Sequence, residues 1–403
     1  MTRAWRTDKD LTASDIRQIV HHAIHFIEQE DYRSYDNFDA LTSPLLWRIS
    51  KNRPLLQRVL IQLNARTPVS LRWTGVKKLP HPKTLSDMLI IYSRILESWN
   101  QSSASDHTGK VSHMLLEQAR QGEGTLVWGL NMPYATRFVC ACSETPNLYT
   151  TVCAGKGFAA SYRTRSDHGY ASVLKAIARG IDQEFGKGIT REGYPFIRYY
   201  SNDPDPVPNV NAIALHLLSE INCLLKEETV PWKFLDQLAG YLISSQNPDG
   251  SWYYSGSPQG KWTDGFHTGF ILDSLIGYCS VRKTEELYTV IRKGFDFFLQ
   301  SFIAGDHTPL YHPGRFRMLD SQNNAQIVQT LVTGSVFFGE DRSAMIKEVL
   351  MKVLSEMYHP GGWFYFQKKR FTTVKTPYFR WSQTPMILAL LHAEEYLLRY
   401  GKD

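Results

Sequence analysis

The chain has 403 residues, and its hydrophobic fraction of 43% and charged fraction of 21% are those of a globular protein with a large buried core. Its 45 basic and 39 acidic residues give a formal net charge of +6, which favours an anionic ligand. The basic residues are scattered along the chain, which argues against a nucleic-acid-binding site. The five Cys residues form no CxxC pair, and the sequence has neither a signal-peptide core nor a long apolar run. We therefore expect a cytoplasmic protein without stable membrane insertion.

The first 105 residues are predicted to be helical. The stretches "TASDIRQIVHHAIHFIEQ", "LLQRVLIQLN" and "KTLSDMLIIYSRILESW" have apolar residues at helical spacing, and Pro-containing stretches separate them. They indicate an N-terminal helical segment, or the opening hairpins of a larger domain, over residues 1–105. The Ser-rich stretch "NQSSASDHTG", Asn100 to Gly109, is the best candidate for a linker.

A Gly-aromatic segment recurs along the remaining residues, 106–403. It reads "EGYPFIRYY" at Gly193, "DGSWYY" at Gly250 and "GGWFYF" at Gly362, with "TPLYHPGRF" halfway through the longer gap. The looser segment "VWGLNMPYATRF" extends the series toward the N-terminus. The spacing indicates a structural repeat of about 55 to 60 residues.

Each aromatic segment is followed by a polar cluster that opens an apolar helix. Asn209, Asp264 and Asp320 are candidate N-caps of three such helices. A second, more amphipathic helix follows each apolar one, as in "TEELYTVIRKGFDFFLQSF". The pattern predicts an all-α fold, an α/α toroid of six or so α-hairpins, in which the inner helices all begin at one mouth.

The richest candidate site surrounds the predicted helix start at Asp264. His267, one turn into that helix, would face the mouth as a base or hydrogen-bond donor, with Asp264 as the cap. The alternative is that Asp264 only caps the helix and His267 only bonds a neighbouring loop. Tyr residues in several of the segments predicted to line the mouth would serve as proton donors or acceptors. The candidate catalytic residues are His267, Asp264, Tyr254, Tyr311 and Tyr365.

Side chains suited to a saccharide recur at the other predicted mouth segments. Amides pair with sugar hydroxyls, guanidinium groups pair with carboxylates, and aromatic rings stack on the apolar faces of sugars. A solvated polar surface is the alternative. The candidate substrate-binding residues are Arg198, Tyr200, Asn211, Trp252, Trp262, Arg317, Asn323, Arg380 and Trp381.

Two local motifs resemble known toroids. "SQNPDGSW" resembles the repeat of squalene and hopene cyclases, and "GKWTDGFHTGFILDSL" is similar to a helix start of protein prenyltransferase β subunits. The resemblance implies an α/α toroid and, as an alternative function, an isoprenoid-binding cyclase or prenyltransferase-like enzyme. It would make His267 a zinc ligand, but the companion Asp-x-Cys pair has no counterpart here. We therefore predict no metal and no cofactor.

A second resemblance extends over more of the chain. "YDNFDALTSPLLWRISKNRPLLQRVLIQLNARTPVSLR", "YPFIRYYSNDPDPVPNVNA", "WTDGFHTGFILDSLIGY" and "FRWSQTPMILAL" resemble α/α-barrel proteins of bacterial polysaccharide biosynthesis and, more distantly, heparosan glucuronyl C5-epimerases. In the epimerases, Tyr residues carry protons to and from C5 of a uronate. The resemblance implies a polysaccharide-biosynthesis enzyme that acts on an anionic, uronate-containing saccharide.

The predicted chemistry is therefore epimerase-like or lyase-like, since both begin with abstraction of the C5 proton. A glycoside hydrolase is disfavoured because no clear second carboxylate accompanies Asp264. A non-catalytic glycan-binding or scaffold protein is a further alternative. The expected partner is a saccharide or polysaccharide, and the sequence leaves the oligomeric state open.

Overall fold

The computed structural model describes residues 11–66, 72–99, 104–135, 140–315 and 318–400. Fourteen α-helices lie within these ranges: α1 (Ala13–Gln29), α2 (Pro44–Ser50), α3 (Pro54–Arg66), α4 (Pro82–Trp99), α5 (Ala104–Leu116), α6 (Leu148–Arg165), α7 (His168–Glu184), α8 (Pro208–Leu225), α9 (Trp232–Ser244), α10 (Gly265–Val281), α11 (Glu285–Phe302), α12 (Ser321–Phe338), α13 (Ser343–Met357) and α14 (Thr384–Tyr400). A π-helical turn, Phe379–Gln383, leads into α14.

Six of the helices form a closed inner ring in the order α4, α6, α8, α10, α12 and α14, and α14 packs back against α4. The outer helices α5, α7, α9, α11 and α13 each pack against the inner helix that precedes them, while α1 packs against α14. The predicted α/α toroid is thus confirmed. The first helix of the chain completes the last hairpin.

Helix character follows position in the two rings. The inner helix α10 is apolar on nearly all sides and buries Leu272 and Leu275, because it is covered by neighbouring inner helices as well as by α11. The outer helix α11 buries one apolar stripe, which includes Ile291, Phe295 and Phe298, and leaves its polar face in solvent. The core is continuous around the toroid.

The inner helices begin at one end of the toroid. The backbone N–H of Gly265, at the start of α10, donates to the carbonyl of Tyr311 before α12, at 3.1 Å. The N–H of Ser321, at the start of α12, donates to the carbonyl of Phe366 before α14, at 3.0 Å. Segments that precede neighbouring inner helices are therefore joined side by side. We call this end of the toroid the mouth.

Short antiparallel strands lie in the segments that lead to the inner helices. They are β1 (Arg120–Gln121), β2 (Leu126–Val127), β3 (Tyr134–Ala135), β4 (Cys140–Ala141), β5 (Lys187–Ile189), β6 (Pro195–Ile197), β7 (Met318–Asp320), β8 (Tyr358–His359), β9 (Trp363–Phe364), β10 (Gln367–Lys369) and β11 (Thr373–Val374). β1 pairs with β2, β3 with β4, β5 with β6 and β8 with β9, and β10 lies between β7 and β11. The strands hold the mouth segments in place.

The repeated Gly-aromatic segment is a structural loop. Gly250 has a φ of 94°, which L side chains rarely adopt. The buried Trp252 donates its indole N–H to the carbonyl of Leu242 near the end of α9, at 2.9 Å. Trp128 makes the equivalent bond to Leu115 near the end of α5, at 2.8 Å. In both repeats a buried Trp therefore fastens the loop to the outer helix before it.

Two local predictions are wrong. The linker assigned to Asn100–Gly109 is helical from Ala104 onward, since α5 begins there, and residues 100–103 lie outside the described ranges. Asn209 is not the N-cap of α8, because Pro208 occupies the first helical position and Val207 is the capping residue. The Pro at this position has no N–H to be satisfied, so the helix begins without a side-chain cap.

The division of the chain at residue 105 stays a prediction. α4, which precedes it, lies in the inner ring between α14 and α6. No helix among the described residues combines the length and the apolar character needed to span a bilayer.

Candidate functional site

A buried carboxylate holds an imidazole at the mouth end of α10. Asp264 is 1% exposed and caps the helix by accepting the backbone N–H of His267, at 2.7 Å. The same carboxylate bonds Nδ1 of the His267 ring, with Nδ1 2.8 and 2.9 Å from its two oxygens. Because a carboxylate only accepts hydrogen bonds, Nδ1 is the donor in this pair, and a neutral imidazole held in this way has its lone pair on Nε2. One short segment thus both caps a helix and orients a potential base.

Aromatic rings surround His267. Trp262 stacks on Tyr254 with their ring centroids 4.6 Å apart, and both rings meet the imidazole edge-on, at 5.5 and 5.0 Å. Phe266 lies on another side of the imidazole, at 4.3 Å. Together these contacts leave 19% of the His267 side chain exposed. The stacked pair is a flat surface of the kind on which a sugar ring packs.

A second carboxylate lies near the first, contrary to the expectation from the sequence. Asp320 caps α12 by accepting the N–H of Asn323, at 3.0 Å, and it also accepts a bond from the Gln367 amide, at 2.7 Å. Burial raises the pKa of Asp320 to about 6, and the charge of Asp264 adds to this shift. The starts of α10 and α12 therefore bring two acidic groups to one side of the mouth.

Tyrosine hydroxyls line the same region. Burial raises the pKa of Tyr254, and nearby acidic groups, Asp264 among them, add to the shift. Burial also raises the pKa of Tyr311 well above its ordinary value, and Asp264 and Asp320 again contribute. These phenols remain protonated at neutral pH, so they can donate hydrogen bonds and protons but are poor bases. Their chemistry complements that of His267.

Further tyrosines extend this lining around the mouth. Tyr134, Tyr149 and Tyr199 keep partial solvent exposure although burial raises the pKa of each, as expected for side chains that line an enclosed cavity. Tyr200 is buried and stacks near Tyr199, with ring centroids 5.3 Å apart. Only Tyr200 of these four is among the candidates from the sequence.

Arg380 and Trp381 lie at the start of the π-helical turn before α14 and share one partner. The Arg380 guanidinium, 5% exposed, forms a two-pronged salt bridge with Asp36, in which Nη2 lies 2.8 Å from Oδ1. The Trp381 indole N–H donates to the same carboxylate, at 3.1 Å. This ion pair joins the N-terminal segment to α14, and it engages Nε and Nη2 of the guanidinium.

Several other candidates have their polar groups engaged by the fold. The amide of Asn211 accepts from the N–H of Ile197, at 2.7 Å, and donates to two backbone carbonyls. Trp252 is bound to Leu242 as described above. Asn323 donates to the carbonyl of Leu310, at 3.2 Å, but its buried carbonyl oxygen has no partner among the described residues.

The remaining candidates lie elsewhere around the mouth. Arg198 is near Asp203, where its charge opposes the rise in the pKa of Asp203 that burial causes. Tyr365 lies beside His359 and Lys375 and is not part of the cluster around His267, with the His359 ring 5.8 Å away. Arg317 falls outside the described residues. The structure thus brings together His267, Asp264, Tyr254, Tyr311 and Trp262.

A polar group inside the inner ring was not found from the sequence. Asp273 on α10 accepts a bond from Gln326 on α12, at 2.7 Å, while its other oxygen is buried without a partner among the described residues. Burial raises the pKa of Asp273 to about 7, a rise that the charge of Lys156 on α6 opposes. Burial lowers the pKa of His216 on α8 to about 3, and the charge of Lys156 adds to this shift. These residues lie within apolar helical patterns, which is why no local signal marked them.

The described residues include no group of three or more His, Cys, Asp or Glu side chains arranged to hold a metal ion. His267 is engaged by one carboxylate, that of Asp264, rather than by a cluster of ligands. The zinc role implied by the prenyltransferase resemblance therefore finds no matching ligand set in the part of the chain that the structure describes.

No family model matches the chain, and no curated protein matches its sequence. Solved structures do resemble it. A sugar epimerase from a ruminal bacterium has a TM-score of 0.60 and 13% identity, over 80% of this chain and 88% of that one. Cellobiose 2-epimerase from Bacillus thermoamylovorans has a TM-score of 0.60 and 10% identity, over 78% and 87%. A family 76 glycoside hydrolase from a Bacteroides thetaiotaomicron strain has a TM-score of 0.58 and 13% identity, over 78% and 68%. At these identities the likeness shows the shared fold.

Proposed function

We propose that this protein is a carbohydrate-processing enzyme that epimerises or isomerises a saccharide by removing a proton from a carbon beside a carbonyl or carboxylate group. The observation that carries the proposal is the buried Asp264 carboxylate on Nδ1 of His267, next to the stacked Tyr254–Trp262 pair. The epimerases among the similar solved structures support the same class of chemistry.

In the proposed reaction, Nε2 of His267 takes the proton and the C–H electron pair moves into the adjacent carbonyl or carboxylate group. Asp264 stabilises the imidazolium that results and keeps the ring in place. Protonated phenols, such as those of Tyr254 and Tyr311, donate hydrogen bonds to the negative oxygen that develops. Return of a proton to the opposite face of the carbon gives the epimer.

The substrate class we favour is a uronate-containing polysaccharide made during polysaccharide biosynthesis, with C5 as the reacting carbon. The support is the resemblance of several segments to glucuronyl C5-epimerases, together with the excess of basic over acidic residues, 45 against 39. A lyase would begin with the same step and then expel the substituent at C4. Formation of an unsaturated product distinguishes the two reactions.

A second candidate function, glycoside hydrolysis, is favoured by one specific observation. Asp264 and Asp320 lie close enough for the charge of Asp264 to help raise the pKa of Asp320, which burial brings to about 6. A pair of carboxylates, one of them with a raised pKa, is the usual equipment of glycosidases. In this reaction Asp320 would protonate the leaving oxygen and Asp264 would serve as the base or nucleophile.

Hydrogen exchange tests the proposal directly. The protein is incubated in deuterated water with uronate polymers and, separately, with neutral disaccharides, and deuterium incorporation is located by NMR. We expect incorporation at C5 of a uronate, and the His267→Gln variant serves as the control that should show none. Incorporation at C2 of a neutral reducing sugar would keep the chemistry and change the substrate.

The other outcomes separate the alternatives. Release of reducing ends without deuterium incorporation would favour the hydrolase. Retained saccharide binding with neither exchange nor cleavage would favour a non-catalytic glycan-binding protein and would overturn the proposed reaction. For the isoprenoid alternative, saturable binding of a prenyl diphosphate in place of any saccharide is the diagnostic result.

A further inference from the structure

A basic cavity lies beside the mouth, between the N-terminal segment and the segment before α14. Its volume is about 340 Å³, within the range of small-molecule sites. Four cationic side chains and one carboxylate line it: Arg33, Arg72, Lys78, Lys375 and Glu30. Its apolar lining includes Phe26, Tyr35 and Phe379. We call it the basic cavity.

Two of the cations form no salt bridge with a carboxylate among the described residues, although the charge of Arg72 opposes the rise that burial causes in the pKa of Asp39. Lys78 is paired with Glu30, and Arg33 lies 3.5 Å from Asp31. Arg72 instead lies over the Tyr35 ring, at 4.2 Å, and Lys375 faces the Tyr365 ring, at 5.9 Å. An unpaired cation next to an aromatic ring in a cavity attracts an anionic ligand.

The Arg72 guanidinium is held in place but incompletely satisfied. One terminal nitrogen donates to the Thr376 hydroxyl, at 3.1 Å. The Nε atom is buried and has no acceptor among the described residues. A buried N–H without an acceptor costs free energy unless a ligand or water supplies one. The guanidinium therefore presents a fixed donor for which the described part of the chain provides no acceptor.

The basic cavity and the site around His267 lie at the same end of the toroid. Ser34, which lines the cavity, is joined by backbone bonds to Leu79, just before α4. Phe379, another lining residue, precedes Arg380, whose charge acts on the Tyr134 hydroxyl. Tyr134 also helps to raise the pKa of Tyr254, whose ring contacts His267. The cavity and His267 therefore lie at the same end of the toroid, near a shared group of tyrosine side chains.

We propose that the basic cavity is a binding subsite for the acidic group of a saccharide chain, and that Arg72 and Lys375 pair with that group while Tyr35 packs on the sugar ring. The preference for an anion follows from the cavity itself. That the anion belongs to a saccharide rests on the proposed function. According to this proposal, the anionic group binds in the basic cavity and not at Arg380, whose charge is paired with Asp36.

Binding measurements on three probes test the proposal. They are a glucuronate-containing hexasaccharide, the same hexasaccharide with its carboxyl groups reduced, and inorganic sulfate, each titrated by calorimetry. Wild-type protein should bind the acidic hexasaccharide more tightly than the reduced one, and added salt should weaken only the former. Sulfate should compete with the acidic hexasaccharide.

Charge variants test whether Arg72 and Lys375 bind the acidic group. Lys375→Glu should weaken binding of the acidic hexasaccharide by about tenfold, and Arg72→Gln by about fivefold, as expected for ion pairs at a partly exposed site. Neither variant should alter binding of the reduced hexasaccharide. Lys233→Glu is the matched control, because it makes the same charge change at an exposed position on α9, across the ring. Circular dichroism checks that each variant is folded.

The results also separate this inference from the proposed reaction. Equal binding of acidic and reduced hexasaccharides, or unchanged affinity in Lys375→Glu, would overturn the subsite. Lys375-dependent binding of sulfate alone, with no binding of the acidic hexasaccharide, would overturn it as well, since it would indicate a site for a free anion. If Lys375-dependent hexasaccharide binding occurs without hydrogen exchange, the subsite stands and the reaction fails.

Discussion

The segments before α10 and before α14 each place an ionisable side chain at the mouth and pair it with a buried carboxylate. The two side chains differ in how completely that carboxylate engages them. Before α10, Asp264 bonds one nitrogen of His267 and leaves the other with a lone pair beside aromatic rings. Before α14, Asp36 engages both the Arg380 guanidinium and the Trp381 indole N–H. Nε2 of His267 is not used by the Asp264 carboxylate, whereas the Arg380 charge is paired with Asp36. The difference indicates which segment is available for chemistry and which closes the ring.

The first prediction separates orientation from capping at α10. Asp264→Asn should lower the exchange activity by about 10²–10⁴-fold, because the amide cannot stabilise the imidazolium or enforce the same ring tautomer. The free energy of unfolding should change little, since Asn is also a good N-cap. Activity assays and urea unfolding measure the two effects.

Asp320→Asn is the matched variant on α12, where the same carboxylate-to-amide change also preserves an N-cap. A loss of epimerising activity much smaller than that of Asp264→Asn is expected. If the wild-type protein cleaves a glycosidic bond and both variants lose that cleavage to the same large extent, the two-carboxylate hydrolase is supported instead.

The second prediction concerns ring closure at α14. Asp36→Asn should destabilise the protein by about 3–5 kcal/mol, because the buried Arg380 guanidinium loses its counter-charge. Replacing both partners, Asp36→Leu with Arg380→Met, should cost less than the single change, since no uncompensated charge remains. Urea unfolding measures both, and the folded fraction of each variant should keep its exchange chemistry at His267. If Asp36→Asn were fully stable but inactive, the Asp36–Arg380 pair would belong with the reacting groups.

The third prediction compares two Trp residues in one stretch, "SQNPDGSWYYSGSPQGKWTDGFHTGF". Trp252→Phe should destabilise the protein by about 2 kcal/mol, because it leaves the Leu242 carbonyl without its indole donor and removes packed volume. Trp262→Phe should leave stability almost unchanged and weaken saccharide binding, because it narrows the surface stacked on Tyr254. Thermal unfolding and calorimetric binding provide the two measurements. If Trp252→Phe weakened binding without loss of stability, and Trp262→Phe lowered stability instead, the assignment of the loop around Trp252 as structural would be contradicted.

The fold was predictable because its signals are local and repeated. Apolar helices opened by polar clusters, each followed by an amphipathic helix, indicated the toroid, and the Asp264–His267 pair was accessible because its members are three residues apart. Closure of the ring was not accessible in the same way. Asp36 and Arg380 are 344 positions apart, and nothing near either residue marks the other as its partner.

The interior polar group illustrates a second limit. Asp273, His216 and Lys156 lie on three different inner helices, each within an apolar stretch that predicts only burial. Their proximity depends on how the helices are rotated within the ring, and periodicity does not determine this when nearly every side of a helix is apolar. The basic cavity has the same origin, since its walls come from both ends of the chain.

The last prediction tests whether Asp273 is as enclosed as its contacts indicate. Burial raises its pKa from 3.8 to about 7, so the folded protein holds this proton more tightly than the unfolded chain does. The stabilisation from Asp273 is therefore fully present below about pH 4 and is lost as the pH rises through 7. Over this window the wild-type protein should lose up to about 4 kcal/mol more stability than Asp273→Asn, whose amide does not titrate, since each unit of pKa shift corresponds to about 1.4 kcal/mol.

Urea unfolding at pH 4.5 and 7.5 measures the effect, and Asp182→Asn, an exposed change on α7, controls for the loss of one carboxylate. Parallel pH profiles for wild type and Asp273→Asn would mean that solvent reaches Asp273 freely. The inner ring would then be open well below the level of His267, and the contrast between an accessible mouth and an enclosed interior would not hold. A steeper wild-type profile would place the boundary of the accessible cavity between His267 and Asp273, which lie six residues apart on α10.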